Sequence, residues 1–282
     1  MILTIVSTTV ACVGGEPTGT AAPTSTVVTT PATGPSTTDA AALAACATEV
    51  PPFSSEGQVP VVSDDELPPS DAVTLTNLSW DRRGGCERLT LRFVTAEGAP
   101  AITPPGVSAQ ILRDPGVLRL ALAPEVTSTS WSTQLVETDL VNRAYVVRRL
   151  DGGLTVDAHL DGPAFARLSA ESGPATLIVD LVPGGEPYAE PPVLGADTVI
   201  VSPTGGTSPY PLTIDGYVRN GADDIVTASI EGSEGSPVRS SAAIAPDPVA
   251  WEAFAIVFPT GPIGTVVLEV GPEQTQASFI AE

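Results

Sequence analysis

Lysine is absent from all 282 residues: the twelve basic side chains are arginines, set against 33 aspartates and glutamates, for a formal charge of −21. A nucleic-acid binder needs a basic face to displace counterions, so the charge balance excludes that class. Histidine occurs once, as His159, and the three cysteines (Cys12, Cys46 and Cys86) are dispersed, which argues against a zinc site of thiolates and imidazoles. No metal and no cofactor are expected. Aromatic residues make up only 5% of the chain, while glycine (26) and proline (29) are abundant, a composition that long helical bundles do not tolerate. What is present points to an extracytoplasmic β protein, and no catalytic site stands out.

The charge is unevenly spread. Residues 1–71 carry eight acids and no base, residues 72–190 a net of −4 with ten of the arginines, and residues 191–282 a net of −9. Ordinary surface pairing with a preference for arginine accounts for the middle segment, and an anion-binding face is the sharper alternative.

The chain starts MILTIVSTTVACV. A short apolar run leads to Thr9-Val10-Ala11-Cys12, and small residues before a cysteine resemble the bacterial lipobox, where that cysteine is diacylated and becomes the mature N-terminus. Residues 1–12 are therefore expected to be a truncated lipoprotein-type signal, with a plain apolar N-terminus and a free thiol as the alternative. Residues 13–45, rich in Thr, Pro and Ala, bury too little to offset chain entropy and read as a disordered tether. Two acyl chains would hold such a tether firmly to a membrane. With Cys12 lipidated, Cys46 and Cys86 remain, and an oxidising compartment favours pairing them. The loop closed would be about forty residues, worth about 3–4 kcal/mol, and would pin the acidic, proline-rich lead-in 46–71 to the first β domain. Two unrelated thiols are the alternative.

From Val73 apolar and polar residues alternate with the period of a strand. Leu89, Leu91 and Phe93 face one way and Arg88, Thr90 and Arg92 the other. Val117–Leu122, Tyr145–Val147, Leu154–Leu160 and Ala175–Leu181 read likewise, and Leu150-Asp151-Gly152-Gly153-Leu154 is a hairpin signal. The segment Trp80–Phe93, with the later RAYVVRRLDGGLTVDAHLDGPAFARLSAESGPATLIVDLVPG, resembles the AMIN-like domain of actinobacterial lipoproteins over roughly residues 72–184. That resemblance implies a β-sandwich and binding to the envelope or to peptidoglycan, without hydrolysis.

Residues 187–195 (PYAEPPVLG) read as a proline-rich linker. Beyond it, strands are expected at Thr198–Val201, Leu212–Val218, Ile225–Ile230, Val238–Ile244, Ala253–Phe258 and Thr265–Val270, the spacing of an immunoglobulin-like sandwich. Trp251, Phe254 and Phe258 would fill its core. Val201–Gly206, Pro211–Val218, Trp251–Phe254 and Gly264–Val270 resemble the Gmad-type immunoglobulin-like domain of bacterial spore germination proteins. Gly216 is expected at a bend or close strand approach, and Pro203 and Pro211 at edge or strand-start positions. The expected fold is all-β: two tandem β-sandwich domains, residues 72–186 and 196–282, after the disordered tether.

Candidate sites are few. Asp157, His159 and Asp161 share one strand face at about 6.6–6.8 Å spacing, too far apart to ligate one metal, and read as a solvated face. No G-x-S-x-G elbow accompanies the histidine. Asp223, Asp224, Glu231 and Glu234 read as a solvated acidic surface, with loose calcium binding as the alternative. Arg82, Arg83, Arg88, Arg92, Arg148 and Arg149 are the candidate ligand contacts. If the strand of Arg88 and Arg92 neighbours the one ending at Arg148, their guanidinium groups would form a forked anion site. The expectation is a non-catalytic, lipid-anchored protein on the outer face of the bacterial cytoplasmic membrane. It would bind cell wall (peptidoglycan or an anionic wall polymer) or an envelope protein, and not nucleic acid. An accessory role in wall hydrolysis, sporulation or germination is the alternative.

Overall fold

The computed structural model describes residues 54, 57–59, 61–62, 69–83, 86–188, 191–219, 225–232, 237–244, 247, 249–270 and 273–282. The signal and tether with Cys12, and also Cys46, Asp223, Asp224 and Glu234, lie outside the described residues, as does the side chain of Arg83. All described residues fall in one compact unit, Pro35–Glu282.

The described residues form strands and no helix. The first eight strands are β1 (Gly57–Val59), β2 (Val61–Val62), β3 (Thr74–Arg83), β4 (Cys86–Val94), β5 (Val107–Leu112), β6 (Val117–Leu122), β7 (Ser128–Thr129) and β8 (Thr133–Leu135). Then come β9 (Val141–Arg148), β10 (Leu154–Leu160), β11 (Ala164–Glu171), β12 (Thr176–Pro183), β13 (Val193–Leu194), β14 (Thr198–Ser202) and β15 (Gly206–Ser208). The last six are β16 (Leu212–Val218), β17 (Ile225–Gly232), β18 (Val238–Ala243), β19 (Trp251–Phe258), β20 (Gly264–Val270) and β21 (Glu273–Ala281).

These strands make three sheets. A six-stranded sheet has the order β2-β11-β12-β4-β3-β7, and a five-stranded sheet β15-β21-β20-β17-β18. The ten-stranded sheet runs β1-β5-β6-β10-β9-β19-β16-β14-β13, with β8 also on the edge of β9. Its path crosses from the N-terminal to the C-terminal half of the unit at one place, a short parallel pairing in which Trp251 lies opposite Val147 and Glu252 opposite Arg148.

Side-chain alternation explains the cores. On β4, Leu89, Leu91 and Phe93 are buried while Arg92 is exposed. They join one apolar cluster with Leu118, Val146, Val156 and Val179, so this cluster draws on both the six-stranded and the ten-stranded sheet. A second cluster takes Ile214, Phe254 and Phe258 from the ten-stranded sheet and Val226, Ile230 and Leu268 from the five-stranded one. Trp251 belongs to neither. Strand parity puts it on the opposite face of β19 from Phe254 and Phe258, correcting its expected place in the C-terminal core.

The described ends of the segment read as a linker make defined contacts. Tyr188 packs against the first cluster, and its hydroxyl accepts a hydrogen bond from the Ala164 N–H at 3.1 Å. Gly116, at φ 61°, lies under the Tyr188 ring, where an added Cβ would come within 2.7 Å of ring carbon. Val193 and Leu194 pair with Ile200 and Val199.

The expected hairpin forms between β9 and β10: the Arg149 N–H donates to the Gly153 carbonyl at 2.8 Å, and the Asp151 carboxylate accepts from the Gly153 N–H at 3.0 Å. Pro211 precedes β16, the strand-start position expected of it, whereas Pro203 follows the end of β14, an interior strand, rather than the expected edge or start. Gly216 sits where strands approach closely. A Cβ there would fall on the Val199 carbonyl oxygen and 2.7 Å from the Phe254 ring. Neither the backbone nor a buried ring can yield cheaply, so Gly216→Ala is expected to cost about 2–3 kcal/mol. Urea denaturation measures it, and a loss under about 0.5 kcal/mol would mean that the strands spread without penalty.

Candidate functional site

The face of the ten-stranded sheet turned away from both large cores is not a plain solvated surface. Tyr145 and Val147 on β9, Val199 and Val201 on β14, Tyr217 on β16 and Trp251 on β19 form a third buried cluster. Its rings interlock. Tyr145 lies 4.9 Å from Trp251 in an edge-on pair and 5.1 Å from Tyr217. His159 completes the group at 4.7 Å from Tyr145, and its Nε2 is hydrogen-bonded to the Tyr217 hydroxyl. The Trp251 indole N–H donates to the Thr133 hydroxyl of β8.

Asp157 and His159 are therefore buried, contrary to the solvated face expected from their alternation, while Asp161 is exposed. The reason lies in the neighbours: β10 has core on one side and this aromatic cluster on the other, so all seven of its residues are buried. Asp157 is wholly buried and satisfied by Arg119, whose Nε donates at 2.9 Å and Nη2 at 2.6 Å. Burial, and then the positive charges of Arg143 and Arg119, push the His159 imidazole down to about 3, so it is neutral at physiological pH.

Beside this cluster the same face opens into a cleft of about 730 Å³. Its apolar surface includes Leu112, Val147, Leu150, Val201 and Ala253. Its charged lining is balanced: Arg113, Arg119 and Arg149 against Asp114, Asp151 and Asp215. Arg149 donates through Nε to Asp151 at 2.9 Å, and Arg113 pairs with Glu186. Hydrogen bonding from the Gly153 N–H, then from Arg149, holds the Asp151 carboxyl below its ordinary range. Asp215 behaves oppositely: desolvation raises its carboxyl, and the charge of Arg119 only partly opposes the rise.

The six arginines singled out in the sequence do not converge. Arg82 and Arg83 end β3, Arg88 and Arg92 lie on β4, and Arg148 ends β9. β4 neighbours β3 and β12 in the six-stranded sheet, whereas β9 belongs to the ten-stranded one, so the condition for a forked anion site is not met. Most of these groups are committed. Arg88 grips Asp180 through Nε at 2.6 Å and Nη2 at 2.9 Å, and Arg167 reaches the same carboxylate. Burial alone would raise the Asp180 carboxyl, but these two guanidinium partners outweigh it and hold the group below its ordinary range. Arg148 binds Asp247, the Thr127 carbonyl and the Gly152 carbonyl, the two carbonyls at 3.0 Å. Arg82 lies 3.5 Å from the exposed Asp139. Arg92 is exposed beside Glu171 and Pro174, with no ion pair among the described residues. Of the five whose side chains are described, Arg149 alone lines the cleft.

Sequence reasoning missed Arg119, Asp215 and Tyr217, and it placed Asp157 on a solvated face. Arg119 stands on the outward face of the recognised strand Val117–Leu122, which is the available signal. That this face looks across at β16 depends on pairings between distant strands. Cys86 is disulfide-bonded, and the other two cysteines of the chain lie outside the described residues. Among the described residues no group of three or more His, Cys, Asp or Glu side chains is placed to hold a metal ion. Comparison with protein-family models, with curated proteins and with solved structures gives no match for this chain.

The buried histidine has a measurable consequence. Its folded-state value of about 3 lies below the ordinary 6.5. Between those values the unfolded chain takes up a proton that the folded chain refuses, so stability is complete above about pH 6.5 and fades as the pH falls. The loss approaches about 1.4 kcal/mol per pH unit. Denaturation at pH 7 and pH 5 should show it, and His159→Gln should flatten the difference. An imidazole proton resonance that titrates near 6.5 in the folded protein would overturn this account.

Proposed function

We propose that this chain is a non-catalytic, lipid-anchored protein of the bacterial cell envelope. It is built of two tandem β-sandwich modules that share one sheet, and it binds cell-wall material or an envelope protein in the cleft on that sheet. The observation that carries the reading is the cleft itself: its walls come from both modules, and its Arg119 is locked to the buried Asp157. Ligand sites of about 300–1,000 Å³ with apolar walls and a few placed polar groups have this character. His159 is buried, neutral and bonded to Tyr217, so it serves packing rather than acid–base work. The two-module reading is supported by the two large clusters, each drawing on two sheets. The disulfide at Cys86 supports an oxidising compartment, and the AMIN-like and Gmad-type resemblances support the envelope. The lipid on Cys12 and the pairing of Cys46 with Cys86 belong to this proposal.

Two measurements test it. Mass spectrometry of the protein from membranes should find a diacylglyceryl group on the mature N-terminal Cys12 and a Cys46–Cys86 bridge. Retention on purified cell walls should fall at least fivefold in Leu150→Glu, which puts a charge on an exposed apolar side chain of the cleft, with thermal stability unchanged. Recovery of the protein from cytosol with reduced thiols, unchanged retention, or turnover of peptidoglycan would each overturn the reading.

A further inference from the structure

The ligand class can be narrowed further, on the assumption that the cleft is the binding site. Among the described residues the lining holds three arginines and three aspartates, in a chain whose formal charge is −21. A polyanion gains nothing from a balanced lining, and neither does a polycation. A balanced lining favours a ligand that is itself neutral overall but carries both signs.

Two of these side chains have capacity left. Arg119 spends Nε and Nη2 on Asp157, at 2.9 and 2.6 Å, while its Nη1 has no hydrogen-bond partner among the described residues. The side chain keeps 31% of its surface exposed, although Asp157 beneath it is fully buried. The buried carboxylate thus fixes the guanidinium plane and leaves its outer edge available to an acceptor. Among the described residues the Asp215 carboxylate has no hydrogen bond or ion pair, and it lines the same cleft from β16. Arg119 acts on its titration through space, yet the two do not come within the 4.0 Å of an ion pair. Two opposite charges thus stand apart in one cleft, held on different strands, with Leu112, Val147, Val201 and Ala253 among the apolar groups of that cleft.

We infer that the cleft takes a short apolar peptide with free termini, its carboxylate on the Nη1 edge of Arg119, its ammonium on Asp215 and its side chains on the apolar walls. An ammonium donates only and a carboxylate accepts only, so each end is matched by one group and rejected by the other. Because the anchors sit on strands of one continuous sheet, the spacing between them is set before the ligand arrives.

Calorimetric titration of the full chain with leucyl-leucine, its N-acetyl form and its C-terminal amide tests the assignment. The free dipeptide is expected to bind at least tenfold tighter than either blocked form. Asp215→Asn removes a side-chain charge with no partner among the described residues, so the fold should be unaffected. In that variant the free and acetylated forms should bind within twofold of each other, while the amide remains weaker than the free dipeptide. Equal binding of free and acetylated dipeptide to the wild type, or no binding of any of the three, overturns the assignment. The cleft reading is judged separately by Leu150→Glu. If that variant loses wall retention while no dipeptide binds, the ligand class falls and the cleft stands; if retention is also unchanged, both fall.

Discussion

One short contact holds this architecture together: the parallel register of Trp251 on Val147 and Glu252 on Arg148. Two residue pairs supply few backbone hydrogen bonds, each worth about 1 kcal/mol net. The side chains around the contact supply far more. Tyr145, Tyr217 and Trp251 are each at most 3% exposed. Rings of this size bury about 150–250 Å² apiece, worth about 4–6 kcal/mol each as an upper figure at about 25 cal/mol per Å². The sheet is thus continuous because the aromatic cluster is buried, and the cleft exists because the sheet is continuous. The polar seams agree with this. Arg148, at the end of β9, clasps Asp247 in the loop before β19, and Asp247 also accepts the Val249 and Ala250 N–H groups at 2.8 Å.

The all-arginine chemistry has a physical use in such a fold. Asp180 is shared by Arg88 and Arg167, and Asp157 is forked by Arg119. A planar guanidinium can satisfy both oxygens of a buried carboxylate, which a lysine ammonium does less well. A buried carboxylate can also be met by N–H groups. Glu87 is an example, accepting from the Trp80 indole at 3.0 Å and from the Leu140 N–H at 3.1 Å.

Local pattern makes much of the strand content legible. Val117–Leu122, Leu154–Leu160 and Leu212–Val218 have the ends expected from alternation alone. Strands β5, β11 and β21 are not among the expected ones. The residues that line the cleft read mostly as surface, because alternation tells which residues share a face but not what lies over it. Trp251 shows both sides of this. Its parity against Phe254 and Phe258 is present in the sequence and suffices to remove it from the C-terminal core, but its neighbour Tyr145 is over a hundred positions away. Arg148 stands out in the sequence as a charge, and only its partner Asp247, about as distant along the chain, turns it from a ligand contact into a clasp.

The docking of Tyr188 over Gly116 bears on how such a molecule can evolve. A joint that is packed rather than slack does not let its two halves be traded among other proteins like beads on a string. Severing the chain there would bare the open margins of β9 and β19 together with a greasy ring cluster, an invitation to self-association. At the shared sheet each half serves as the other's cover.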